Sequence, residues 1–176
     1  MKERSYLRPK KTILLCGESD GTIFRRTFTI VQKISEGGSA VCYEAHYENS
    51  SRGVLKEFYP QEAYALERNK QGQLVHLAEF EDAYERFLDA EKKYLEPYNM
   101  LLDTKQNSDN QDLATFIPAF EIYHGCDEDG NVIGTTYVWT PEPKLETFKK
   151  ICDEIHKYPR KDPERKLFTV LAAIES

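Results

Sequence analysis

Apolar positions along this chain fall into short alternating runs, then one helical stripe, then alternating runs again. Residues 12–16, Thr-Ile-Leu-Leu-Cys, predict a short leading strand, and Gly17 to Gly21 a turn. Residues 22–34, 40–48 and 52–59 predict three further strands, the last ended by Pro60, which has no N–H to give a ladder. Residues 61–78 fit neither period, apart from a turn at Asn69 to Gly72. Phe80, Tyr84, Phe87, Leu88, Tyr94, Leu95 and Tyr98 then recur at helical spacing and predict a helix over about 79–102.

Residues 103–112 are polar and predict a loop. Two strands follow, over 114–123 and 132–139, rich in β-branched and aromatic residues. Between them Cys126-Asp-Glu-Asp-Gly-Asn131 predicts a hairpin turn; it lacks the further ligands and distal Glu of a calcium loop. Leu145, Phe148, Cys152 and Ile155 mark a second helix. Asp162-Pro163-Glu164 is a good start for a third, with an N-cap and a proline at N1.

Composition narrows the class. The chain has 176 residues, is 40% hydrophobic and 31% charged, and carries a net charge of −6. These values suit a soluble globular domain, or one and a part. An acidic chain without a basic stripe is not expected to bind nucleic acid. No apolar run reaches membrane-spanning length, and no signal core follows the N-terminal charges, so cytoplasm is the expected location. Cys16, Cys42, Cys126 and Cys152 form no Cys-x-x-Cys pair, and the four histidines lack ligand spacing. Reduced thiols and no metal are therefore expected.

Candidate chemistry centres on Lys56. It sits in the apolar run Gly-Val-Leu-Lys-Glu-Phe, and a buried ammonium needs an anion. On the long helix, Glu91 lies in the middle of the apolar stripe, flanked by Phe87, Leu88, Tyr94 and Leu95. Glu85 shares its face with Glu81, Asp82 and Asp89 and reads as a solvated charge. The spacing predicts a Lys56–Glu91 pair between strand and helix. Upstream, the turn Ser35-Glu36-Gly37-Gly38-Ser39-Ala40 offers small residues beside which a phosphate could approach.

Taken together, strand, glycine turn, strand, lysine strand, helix with inward Glu, and two more strands resemble the small lobe of a protein kinase. The resemblance covers roughly 28–158. It implies an α+β fold: a twisted antiparallel sheet of about five strands plus one long helix, with the first helices of the large lobe. Its domain division would be a leading segment 1–21, the small lobe 22–140, and a hinge with a truncated large lobe 141–176.

It also implies ATP as ligand. Lys56 would contact the phosphates, Glu91 would position Lys56, and residues 35–40 would cover the phosphates. Cys42 and Val54 would line the adenine pocket, with Trp139, Thr140 and Glu142 as hinge. Of the family's Gly-x-Gly-x-x-Gly pattern only the middle glycine is in register. No His-Arg-Asp or Asp-Phe-Gly motif is present, so Mg²⁺ ligands and the catalytic base are expected beyond residue 176, in a longer parent serine/threonine kinase acting on a protein substrate. This chain alone would then be inactive, its exposed cleft covered by a dimer partner. The alternatives are a pseudokinase or nucleotide-binding regulatory module without phosphotransfer, and a scaffold that binds partners through its tyrosines.

Overall fold

The structure, a computed structural model, describes residues 4–19, 21–48, 51–61, 66–77, 81–107 and 119–142. The strands are β1 (Thr12–Ser19), β2 (Thr22–Glu36), β3 (Ala40–Tyr47), β4 (Ser51–Phe58), β5 (Leu66–Arg68), β6 (Leu74–His76), β7 (Glu121–Cys126) and β8 (Val132–Pro141). One helix, α1 (Glu81–Asn107), lies between β6 and β7 in the chain. The expected helices around 145–155 and 163–176 lie outside the described residues, as do residues 114–118 of the strand expected over 114–123, whose described part is strand from Glu121.

The chain divides into two compact units. The first comprises residues 1–94 and 120–142; the second comprises 95–119 and 143–176. In the second unit the described part is essentially the α1 segment 95–107, whose Pro97 lacks the N–H that a helix interior would use. Among the described residues, no helix is long and apolar enough to cross a membrane.

The first unit is a closed antiparallel barrel. β1 pairs with β2, β2 with β3, and β3 with β4. β4 pairs with β8 from Gly53↔Pro141 to Glu57↔Tyr137, and β8 pairs with β7. The ring closes where β7 meets β1, at Leu15↔Gly125 and Cys16↔His124. Six strands thus form a ring with no free edge, and the two bulged shifts in β2, at Ile30/Gln32 and Lys33/Ser35, supply local curvature. The β5–β6 hairpin leans on β8 through Val75↔Gly134. That contact needs glycine: a Cβ on Gly134 would lie 2.9 Å from the Leu74 carbonyl and 3.0 Å from Gly125 Cα.

This architecture corrects the expected fold. A kinase small lobe is an open sheet with one helix, whereas here β1 and β7 seal the sheet into a barrel. The resemblance to a protein kinase small lobe is therefore overturned, and with it the α+β small-lobe class.

Alternation explains the interior. Inward positions are Ile13 and Leu15 on β1, Phe28 and Ile30 on β2, Val41, Tyr43 and Ala45 on β3, Leu55 and Glu57 on β4, Tyr123 on β7, and Tyr137 and Trp139 on β8; all are buried. Phe28 contacts Tyr123 and Trp139 with ring centroids 5.2 and 5.1 Å apart. A barrel this narrow is filled by its own side chains, so the centre is a core and not a ligand cavity.

A disulfide joins Cys16 to Cys126, 110 residues apart. The expectation of reduced thiols is corrected for this pair. Cys42 is a free, buried thiol.

Candidate functional site

Period-two geometry decides which charge of the Lys56-Glu57 pair enters the barrel. Gly53, Leu55 and Glu57 share the inner face of β4, while Val54 and Lys56 face outward. Glu57 is fully buried, and its carboxylate is saturated. Oε1 accepts from Arg68 at 2.9 Å and from Tyr137 Oη at 2.9 Å. Oε2 accepts from Arg68 at 2.9 Å and from Tyr43 Oη at 3.1 Å. Arg68, at the end of β5, also donates to the carbonyls of Ser5 and Gly72.

This network closes one end of the barrel and ties the N-terminal segment across it. Leu7 N donates to Tyr43 Oη at 3.2 Å, and Ser5 N to Tyr59 Oη at 3.2 Å. Burial alone would lower the Arg68 pKa, but hydrogen bonding and charge from Glu57 outweigh it, so the net shift is upward. Burial, then the charge of Glu57, pushes the Tyr43 and Tyr137 hydroxyls up. With every guanidinium N–H and both carboxylate oxygens engaged, nothing in this cluster is free to meet a substrate. It is a lock on the fold.

The opposite end carries Arg26, paired with Glu121 at 2.7 Å and set over the rings of Tyr47 and Phe24 at 4.7 and 4.9 Å. Tyr123 Oη also donates to Glu121. Burial and that hydrogen bond raise the Tyr123 pKa.

Glu91 does face the barrel, as its place in the helical stripe predicts. Its Oε1 accepts from Thr136 N at 2.9 Å and from Thr136 Oγ1 at 2.7 Å. Thr136 Oγ1 lies 3.1 Å from His124 Nδ1. A hydroxyl has one proton, so if Thr136 gives it to Glu91, His124 Nδ1 carries the proton shared with Thr136. The chain Glu91–Thr136–His124 looks like a relay, but Thr136 is fully buried and cannot act on a substrate. It anchors α1 to the outer face of β8, with Phe58 against Phe87 and Tyr94 at centroid distances of 5.6 and 4.9 Å.

Burial lowers the His124 pKa, and the charges of Glu91 and Glu18 only partly oppose it. The unfolded chain therefore binds the extra proton more readily than the folded one. Stability contributed by neutral His124 is complete above about pH 6.5, the unfolded pKa, and is lost as pH falls below it. Urea midpoints should fall between about pH 7.5 and 5.5, and His124→Gln should flatten that slope. An unchanged slope in the variant would remove His124 as its source.

The other expected site residues lie on β3, β4, β8 and at the β2–β3 turn. Cys42, Val54 and Lys56 share the outer face of β3 and β4, with Cys42 and Val138 opposite Lys56. Ser35 pairs with Cys42 at the end of β2. Glu36 is held by Lys33 at 2.7 Å. Gly37 N donates to the Ala40 carbonyl, and Arg4 donates to the carbonyls of Gly37 and Gly38 at 2.8 and 2.9 Å. The Ser39 carbonyl accepts from Tyr59 N. Neither Gly37 nor Gly38 has positive φ, and a Cβ on either would meet open space. Trp139 is inside the barrel, Thr140 pairs with Val54, and Glu142 N donates to Arg52; the expected hinge is thus largely barrel strand.

The hairpin turn at 127–131 forms as expected. Asp127 Oδ1 accepts from the backbone of Asp129 and Asn131, Oδ2 accepts from the Asn131 amide, and Gly130 takes positive φ. Asn131, through its side chain first and then its backbone, holds the Asp127 carboxyl below its usual range. Among the described residues, no group of His, Cys, Asp and Glu could hold a metal.

Among the described residues an accessible concavity lies elsewhere, in a groove of about 660 Å³ beside α1. Glu81, Tyr84, Phe87, Leu88 and Glu91 form its helix wall. Leu66, Leu74, Val75 and His76 come from the β5–β6 hairpin, and Val132, Ile133, Gly134 and Thr135 from the start of β8. Four of its residues are large, apolar and exposed: Val132 at 61%, Tyr84 at 44%, Leu88 at 43% and Ile133 at 41%. His76 meets Tyr84 with tilted rings, centroids 4.7 Å apart, and its Nε2 is buried without a hydrogen-bond partner. The sequence signal for this groove was the doubling of the apolar stripe at Tyr84 and Leu88, wider than the barrel contact of α1 uses.

The described residues of the first unit thus form a closed six-stranded antiparallel barrel locked by a buried ion pair, with the start of α1 and the β5–β6 hairpin flanking an apolar groove. No family model matches the chain, and neither the curated proteins nor the solved structures contain a match.

Proposed function

We propose that this chain is an interaction module that receives an apolar ligand segment in the groove between α1, the β5–β6 hairpin and β8. One observation carries the reading: Tyr84, Leu88, Val132 and Ile133 converge on a single concavity while remaining exposed. Scattered surface apolar residues need no explanation, but a contiguous group lining a groove is the common mark of a binding surface. Its volume lies in the range of ligand sites. The saturated Glu57–Arg68 lock and the buried Thr136 argue for recognition rather than catalysis. The Cys16–Cys126 bond favours an oxidising compartment over the cytoplasm expected from composition, since disulfides persist where thiols are not kept reduced.

The test is a peptide array probed with the wild-type chain and with a Leu88→Asp/Ile133→Asp variant. Wild type should retain apolar peptides that the variant loses, with both proteins equally folded by circular dichroism. Equal retention by both would sink the groove reading. Mg-ATP, the ligand implied by the sequence resemblance, serves as the comparison probe by calorimetry. Binding of Mg-ATP that survives the groove substitutions and is lost in Lys56→Met would favour a nucleotide module instead.

A further inference from the structure

Charge and length narrow the occupant of this groove, and the inference rests on the interaction-module reading above. Along α1 the lining runs from Glu81 to Glu91, ten helical steps, or about 15 Å at the helical rise. An extended chain covers that span with about four or five residues. The charged groups on the wall are both acids, Glu81 at one end and Glu91 toward the other; among the described lining residues there is no Lys or Arg. Glu81 sits with Asp82 in the first helical turn, so the described start of α1 brings two acids to that end.

Glu91 is fixed where a ligand could read it. Oε1 is held twice by Thr136, which orients the carboxylate against the groove floor beside Thr135. A carboxylate oriented by one oxygen and edged by apolar surface is poised for a charge-assisted hydrogen bond in a partly desolvated setting. A neutral or acidic ligand would leave that charge covered and unmatched, which disfavours it. Apolar walls select the flanking side chains, and Glu91 selects what stands between them.

We propose that the groove binds an extended peptide segment in which a lysine or arginine lies between large apolar residues, with the cation meeting Glu91 and the apolar side chains packing on Tyr84, Leu88 and Ile133. A segment of this kind buries apolar area and pairs its charge in the same step. Its register is fixed by the ion pair and its affinity by the apolar contacts.

The experiment is a nuclear magnetic resonance titration of the full chain with three blocked heptapeptides, Gly-Ser-Leu-X-Phe-Ser-Gly, where X is Lys, Gln or Glu. The Lys peptide should shift amides at 84, 88 and 133 and bind about tenfold tighter than the Gln peptide, the gain expected of one charge-assisted contact. The Glu peptide should be weakest. Glu91→Gln keeps an oxygen for Thr136, so the helix anchor survives, and it should bring the Lys and Gln peptides to similar affinity. Groove shifts of equal strength for all three peptides would overturn the charge inference and leave the interaction-module reading standing. No groove shift with any peptide would overturn the proposal, and with groove-independent array binding would overturn that reading too. Concentration-dependent shifts at the same amides without peptide would mean that a second copy of the chain occupies the groove, which also overturns it.

Discussion

Arg68→Ala should destabilise the first unit by about 3–5 kcal/mol, the usual cost of leaving a buried charge without its partner. Glu57 is fully buried and the Arg68 side chain only 12% exposed, so solvent cannot replace the lost cation. Two tyrosine hydroxyls would remain on the carboxylate, but neither carries charge. The substitution also releases Ser5 and Gly72, loosening the N-terminal segment and the β5–β6 hairpin together. Urea unfolding of the variant should show a midpoint shift of that size, or no folded baseline at all. The double variant Glu57→Leu/Arg68→Met removes both charges and should recover much of the loss, because a desolvated ion pair gains little over packed apolar groups. An Arg68→Ala midpoint within about 0.5 kcal/mol of wild type, the range of ordinary surface changes, would show that the network does not hold the barrel.

The same residues show how far the sequence could be read. The rule that a buried charge needs a partner is met most fully by Glu57, one position beyond the Lys56 for which the sequence suggests it. The period-two set Gly53, Leu55, Glu57 selects the acid one position on, and Lys56 goes to the outer face. A one-residue slip moves every side chain of a strand to the other face. Glu91 was placed correctly because helical phase is averaged over several turns: its carboxylate meets the barrel, and Thr136 receives it.

Strand positions were legible to within a few residues for β1 to β4 and for β8, because alternation is local. The β5–β6 hairpin was not, since three residues per strand are too few to show a period. The expected loop after residue 102 is helical as far as Asn107, where Asp103 and Lys105 continue a helix that polarity alone had ended. Closure of the barrel left no local trace. Leu15 and Gly125 meet across the chain, and a strand's pattern shows that it pairs without showing with what. An open sheet and a closed one present the same alternation, so the kinase-like arrangement could be written for residues whose ends in fact join.

That joining is where the second large effect is expected. Converting Cys16 and Cys126 together to alanine should lower stability by about 2–5 kcal/mol, the range for native disulfides, toward the upper part because the bridged loop is long. The separation is 110 residues, so the bond removes a large share of the unfolded chain's freedom. Position matters as well as length. The β1–β7 seam has two paired residues, Leu15↔Gly125 and Cys16↔His124, against five between β4 and β8. The covalent link therefore sits beside the least extensive junction of the ring. Neighbouring packing limits the damage: Gln73 Nε2 donates to the carbonyls of Leu14 and Cys126 at 2.8 Å each, tying β1 and β7 through a side chain. The expected result is a folded but weaker barrel, with amides of β1 and β7 exchanging faster than those of β3 and β4. At about 2–4 °C per kcal/mol for a chain of this size, the melting point should drop by roughly 10 °C. Reducing agent added to wild type should reproduce the shift once the buried bond is reached. Peptide mapping without reductant should recover the segment holding Cys16 joined to the one holding Cys126. Two separate free-thiol peptides from the native protein, or a double variant as stable as wild type, would show that the barrel closes on its hydrogen bonds and packing alone.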